Sequence, residues 1–216
     1  MEGRLFYLME KNKLSLVNKT GREIRSFSSF ELKEFRNEDG SERQDYVHGV
    51  PVVFNTPTCL YEYEGIKFYE QIDRHAFDNC DMSDVIFNYN HRGRVAARIR
   101  NNTLKLSLND VCMEMDAFLG GTEYGRNLLE DIRGGYIDKM SFAFVVAEDG
   151  DEYDPATHTR TITRIKKLYD VSAVDIPAYD TTSISARSFF EVEYEKEKRA
   201  LEQARLRDIC IAKTKI

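Results

Sequence analysis

Residues Leu104-Lys105-Leu106-Ser107-Leu108 alternate apolar with polar side chains, and after an Asn109-Asp110 turn the alternation resumes in Cys112-Met113-Glu114-Met115-Asp116-Ala117-Phe118. A period of about two marks a strand with one wet face, so the pair predicts a half-buried hairpin. The period then changes. Tyr124, Leu128 and Ile132 are four apart, which places them on one face of a helix from Thr122 to Arg133, with Thr122 as its cap and Gly134-Gly135 as its stop. Tyr46 to Phe54 reads as a strand kinked by Gly49 and Pro51, and the missing N–H of Pro51 assigns it to an edge or a bulge. Ile66 to Ile72, Val85 to Asn90 and Ile137 to Val146 are further strands, and Thr161 to Val174 is a long one. Asn37 to Ser41 and Asp149 to His158, the latter with Pro155, are polar turns. Strands outnumber helices throughout, so the expected class is mainly β with helices (α+β), a barrel or sandwich rather than a doubly wound sheet.

After Ala186 the character shifts. Glu191 to Arg207 is dense in Glu, Lys and Arg with Leu201 and Leu206 as its main apolar residues, the pattern of a solvated helix or flexible tail. The 216 residues suit one domain with appendages. A net charge of −6 argues against binding nucleic acid, whose phosphates call for a basic surface. Cys59, Cys80, Cys112 and Cys210 are scattered without zinc or dithiol spacing and read as reduced, mostly buried or incidental thiols. Glu10, Lys11 and Lys13 break up the N-terminal apolar residues before a secretory core forms. No window reaches the roughly 20 apolar residues of a membrane span. A soluble protein of a reducing compartment is expected.

Candidate chemistry lies in three separated segments. Ser141 sits within Lys139-Met140-Ser141-Phe142-Ala143-Phe144, His91 ends Asn88-Tyr89-Asn90-His91, and Asp170 opens Asp170-Val171-Ser172-Ala173-Val174. A serine hydroxyl is a poor nucleophile near neutral pH and needs a base that a third group holds in the right tautomer. Taken singly, a serine in an apolar strand serves packing and a histidine after a strand faces solvent. Asp170 has a bland alternative, pairing with Lys166 or Lys167, and a rival in Asp175. Because side chains alternate along a strand, at most one of the two acids meets the histidine. His48, His75 and His158 lack comparable context. Asp149-Gly150-Asp151-Glu152-Tyr153-Asp154 lacks the spacing and terminal glutamate of a calcium loop, and Ser141 lacks the Gly-x-Ser-x-Gly elbow of ester hydrolases.

Several blocks, taken in order, resemble the prohead maturation proteases of tailed bacteriophages. They are Gly49-Val50-Pro51-Val52-Val53-Phe54, the run from Glu70-Gln71-Ile72 to Ala76-Phe77, Asn90-His91, Gly134-Gly135 through Met140-Ser141-Phe142-Ala143-Phe144, and Leu168-Tyr169-Asp170-Val171-Ser172-Ala173-Val174-Asp175-Ile176-Pro177-Ala178. The chain departs from the family at Ala143, where glycine is usual, and at Asp170, where glutamate is commoner.

The resemblance implies a closed β-barrel decorated by helices, like that of the herpesvirus assemblin proteases. It divides the chain into an N-terminal extension (1–21), a protease domain (22–187) and a charged C-terminal tail (188–216). It implies a serine endopeptidase with His91, Ser141 and Asp170 as catalytic residues, the third least firmly assigned since the herpesvirus relatives use a histidine there. Ala178 and Tyr179 are the candidate oxyanion donors by position. The implied substrates are the scaffold protein or scaffolding segment of the major capsid protein, and the protease itself, inside the assembling prohead in the host bacterial cytoplasm. No metal or organic cofactor is implied, nor any nucleic-acid or membrane partner, and the dimeric herpesvirus relatives suggest a homodimer. A non-catalytic capsid assembly or scaffold-binding protein on the same fold is the alternative.

Overall fold

The computed structural model describes residues 22–29, 35–36, 42–43, 45–175 and 184–214. By compactness they fall into one unit within Thr20–Ser183 and, apart from it, the C-terminal helix. Among the described residues fourteen strands run in chain order: β1 (Glu23–Ser29), β2 (Phe35–Arg36), β3 (Glu42–Arg43), β4 (Tyr46–Val53), β5 (Thr58–Tyr63), β6 (Ile66–Ile72), β7 (Ile86–Tyr89), β8 (Arg92–Arg98), β9 (Leu104–Leu108), β10 (Cys112–Phe118), β11 (Lys139–Val146), β12 (Asp151–Asp154), β13 (Thr159–Ile162) and β14 (Ile165–Val174). The helices are α1 (Glu123–Arg133) and α2 (Ile184–Thr214). The class is therefore mainly β with helices, as expected.

The described ladders form a five-stranded sheet in the order β1-β11-β14-β7-β8, a three-stranded sheet β4-β10-β9, a four-stranded sheet β12-β13-β6-β5 and the pair β2-β3. The hairpin read from alternation is β9-β10, whose inward residues Met113, Met115 and Ala117 are fully buried. Pro51 lies in β4, an edge strand of its sheet, beside an irregularity opposite Met113 and Met115. Helix α1 is capped as its sequence demands, with the Gly125 N–H donating to Thr122 Oγ1 at 3.0 Å. Its buried stripe of Leu128, Leu129 and Ile132 joins the core. Burying each of these side chains stabilises the fold by roughly 1.5–3 kcal/mol.

Three expectations differ from what is observed, and β1, β5 and β8 are strands that the sequence pattern did not mark. The polar stretch after Asp149 contains β12, so the turn itself is shorter. The long strand expected from Thr161 is broken into β13 and β14, because the Thr163 and Arg164 N–H groups both turn to Gly150 O, at 2.8 and 2.9 Å. Cys59 is exposed and Cys80 and Cys112 are only half-buried, and all three are free thiols. Burial raises the Cys80 thiol to about 11. The turn expected at 37–41, the extension 1–21 and the candidate oxyanion donors Ala178 and Tyr179 lie outside the described residues.

α2 is a helix of 31 residues and is largely exposed from Glu191 onward, as its charge density required. No described helix is long and apolar enough to cross a membrane.

Candidate active site

β11 is central in its sheet, with both edges paired, to β1 and to β14, and both of its faces are covered, since consecutive residues from Met140 to Phe144 are all buried. Phe142 and Phe144 stack on one face as part of the hydrophobic core. Ser141 and Ala143 occupy the other face, since neighbouring side chains alternate. Cross-strand register carries that polar face across the sheet. Ser141 pairs with Ser172 and Ala143 with Asp170 on β14, and Ser172 pairs in turn with Asn88 on β7. A row of three small polar side chains thus crosses three strands, all buried. Ala143 is outside the left-handed backbone region, so its side chain brings no backbone strain there.

His91 reaches this row from the two-residue loop between β7 and β8. Its Nε2 lies 2.7 Å from Ser141 Oγ, and its Nδ1 lies 2.5 Å from Asp170 Oδ1. An ionised carboxylate only accepts, so the Nδ1 proton points at Asp170, leaving Nε2 free to accept from the serine hydroxyl. Burial pushes the imidazole down to about 4, and the charge of the Arg22 guanidinium acts in the same direction. Above that pH the ring is neutral and can take up a proton.

Asp170 is fully buried and saturated with donors. Arg22 donates through Nη2 to Oδ2, while His91 and Ser172 share Oδ1, the serine hydroxyl at 2.8 Å. A buried carboxylate demands such partners. The Ser141 hydroxyl has a second acceptor, the Arg25 carbonyl of β1, at 2.7 Å. Its single proton is therefore shared between that carbonyl and His91.

β1 is anchored from its other face by buried charges. Arg25 reaches Glu70 Oε1 at 2.5 Å and Glu23 Oε2 at 2.5 Å, and Arg160 reaches Glu23 and Glu70 at 3.0 Å each and Asp151 at 2.6 Å. Burial opposes ionisation of Glu23, but Arg25 and Arg160 outweigh it and hold the carboxyl at about 2.

The structure brings together His91, Ser141 and Asp170, which the sequence reading selected. Asp175 is exposed, beyond the end of β14, and accepts from the Tyr89 hydroxyl at 2.7 Å. Lys167 pairs with Asp81 rather than with Asp170. His48, His75 and His158 are engaged elsewhere, with Asp116, Asp78 and Tyr153. Among the described residues no cluster of ligating side chains could hold a metal ion. The sequence reading missed Arg22, Asn88 and Ser172. Spacing of two along the strand would have pointed to Ser172 from Asp170, whereas Arg22 is 148 residues from its partner and carries no local signal.

Residues 30–197 match the family model of the caudovirus prohead serine proteases. No curated protein matches the chain. Among solved structures, the capsid assembly protease of bacteriophage T4 is similar at 12% identity and a TM-score of 0.45, over 72% of this chain and 98% of that one.

Proposed function

Since the chain belongs to the caudovirus prohead serine protease family, we propose that it is a serine endopeptidase of prohead maturation with Ser141 as nucleophile, His91 as general base and Asp170 as orienting acid. The observation that carries this reading is the continuous relay from Ser141 Oγ through the His91 ring to Asp170 Oδ1, with links of 2.7 and 2.5 Å. Ser141 Oγ attacks a peptide carbonyl while His91 Nε2 takes its proton, and the imidazolium then protonates the leaving amine. In the acyl-enzyme, the same nitrogen activates water for deacylation. Asp170 holds the Nδ1–H tautomer and stabilises the imidazolium without itself gaining the proton.

Membership supports scaffold protein, or the scaffolding segment of the major capsid protein, as substrate, with the protease itself as a further one. Action inside the prohead in the host cytoplasm follows from the same reading. We take residues 22–187 as the protease domain, 1–21 as an extension and 188–216 as a tail. The sheets are read as parts of an assemblin-like barrel, supported by the approach of β4 to both β1 and β11. A homodimer is proposed as the working state, to be tested by specific activity on dilution. A fall on dilution supports it, and a flat profile through the dissociation range rejects it.

The test is co-expression of the chain, and separately of Ser141→Ala, with the capsid and scaffold proteins of its source, followed by intact-mass measurement. Truncated products with the parent that vanish in the variant are expected. Identical fragments from both, or none while proheads form, would overturn the reading.

A further inference from the structure

We infer that Ser172, backed by Asn88, is a positioning residue that sets the orientation of the Asp170 carboxylate and the tautomer of His91. The inference rests on the catalytic assignment above. Ser172 Oγ is 2.8 Å from Asp170 Oδ1, 3.1 Å from His91 Nδ1 and 2.5 Å from Asn88 Oδ1. Ser172 is fully buried and Asn88 is 4% exposed. Three polar neighbours therefore converge on one hydroxyl that has a single proton and no access to water.

Their donor and acceptor capacities admit one order that satisfies all of them. Asp170 only accepts, so Ser172 must donate to it, and the Nδ1–H of His91 must donate to the same oxygen. Ser172 Oγ is then left to accept, and what faces it across 2.5 Å is the Asn88 side-chain amide. A half-turn of that amide exchanges oxygen for NH2 with no change of shape. With the contact relaxed to the ordinary N–H···O range of about 2.7–3.2 Å, it places an Asn88 N–H on Ser172 Oγ, and the protons then run from Asn88 to Ser172 to Asp170. In the opposite amide orientation two acceptors compete for the hydroxyl proton and one buried group goes unpaired, a costly arrangement.

The consequence for chemistry is geometric. Asp170 can turn toward Arg22 on one side or His91 on the other, and Ser172 is the neutral donor that fixes Oδ1 on the His91 side. Because Ser172 also lies against Nδ1 as an acceptor, both of its neighbours on that side favour the Nδ1–H tautomer, the one in which Nε2 accepts from Ser141. Ser172 touches no substrate atom, so its loss should lower the chemical rate and leave binding alone.

The test uses the full chain and a fluorophosphonate probe. In that reaction Ser141 Oγ bonds to phosphorus, fluoride leaves and His91 takes the hydroxyl proton. Ser141→Ala is the blank. Ser172→Ala is expected to lower the maximal labelling rate roughly 10- to 100-fold, the value of a hydrogen bond to a charged group, with half-saturating probe concentration unchanged. Ser172→Thr, which keeps the hydroxyl, should recover most of the rate. Asn88→Ala should slow labelling, and the Asn88→Ala/Ser172→Ala double variant should be little worse than Ser172→Ala alone, since the two act through one contact. In parallel, the low-field proton resonance of His91 Nδ1–H should be sharp in the parent and shifted or broadened in Ser172→Ala. Full labelling by a folded Ser172→Ala, a change in half-saturation alone, or a folded Ser172→Thr as slow as Ser172→Ala would overturn the inference. If the parent itself is not labelled, the catalytic reading fails, and an unaltered His91 resonance in Ser172→Ala would then separately reject the positioning role.

Discussion

Asn90 and His91 both adopt positive φ, 51° and 56°, and together form the two-residue connection between β7 and β8. Two successive positive φ values match the type I′ turn that hairpins of this length favour, because its twist follows that of the strands. Asparagine and histidine are among the residues that tolerate the left-handed region best. The Asn90 N–H also donates to Ala173 O at 2.9 Å, tying the turn to β14. The base is therefore held by a rigid turn rather than a loose loop. Asn90→Gly keeps both the φ and the N–H, and should leave labelling and stability within about 0.5 kcal/mol of the parent. Asn90→Val should cost about 1–2 kcal/mol, visible as a lower urea midpoint, and slow labelling by displacing His91. Equal behaviour of the two variants would refute a conformational role for the turn.

Asp170→Asn preserves shape but exchanges an acceptor for a group that can also donate. Its amide N–H would draw a lone pair of His91 Nδ1, forcing the proton onto Nε2, which then cannot accept from Ser141. A loss of roughly 10⁴-fold in rate is expected for such a tautomer change. Rates measured beside Asp175→Asn separate the two acids, since Asp175 is exposed and bonded to Tyr89, and its substitution should be nearly silent. A larger effect at Asp175 would reassign the acid.

Much of this arrangement could be read before the fold was known, and the parts that could not share a cause. β9, β10 and α1 declare themselves through side-chain periodicity and a cap, which are local properties. Alternation shows only that Asp170 and Asp175 cannot both meet the histidine, and it is the resemblance that selects Asp170. β1 is different, since Glu23 to Ser29 becomes a strand by pairing with Phe144 to Lys139, more than 100 residues away, and its charges Glu23 and Arg25 face inward to meet Glu70 and Arg160. Inward charge inverts the pattern by which strands are recognised. The break between β13 and β14 is set across a hairpin by Gly150, where a Cβ would lie 2.4 Å from Arg164 O, so nothing within residues 161–174 announces it.

The buried cluster beneath β1 gives a prediction about stability. Glu70 is fully buried and takes hydrogen bonds from both Arg25 and Arg160. Glu70→Gln keeps the shape and removes the charge, leaving two buried guanidinium groups to share Glu23 and Asp151. Removing one partner of such a network costs about 3–5 kcal/mol. Urea unfolding should show a drop of that size. A change below about 1 kcal/mol would mean that water already screens the cluster.

The last prediction concerns pH and follows from the sign of one charge. His91 is held down to about 4, first by burial and then by Arg22. The base should therefore stay neutral, and the labelling rate should hold, until the pH falls close to 4. Arg22→Ala removes a positive charge near the ring, so the His91 pKa must rise and the acid limb of the rate profile must move to higher pH. Stability obeys the same arithmetic. Between about 4 in the folded chain and 6.5 for a free histidine, the unfolded chain binds more protons at this site, so stability falls as pH drops through that window. In Arg22→Ala the window narrows from its lower end, and the His91 contribution to acid destabilisation shrinks. Labelling rate and urea midpoint measured from pH 4 to 8 check both limbs, and an acid limb that stays in place or moves downward would show that Arg22 does not act on His91.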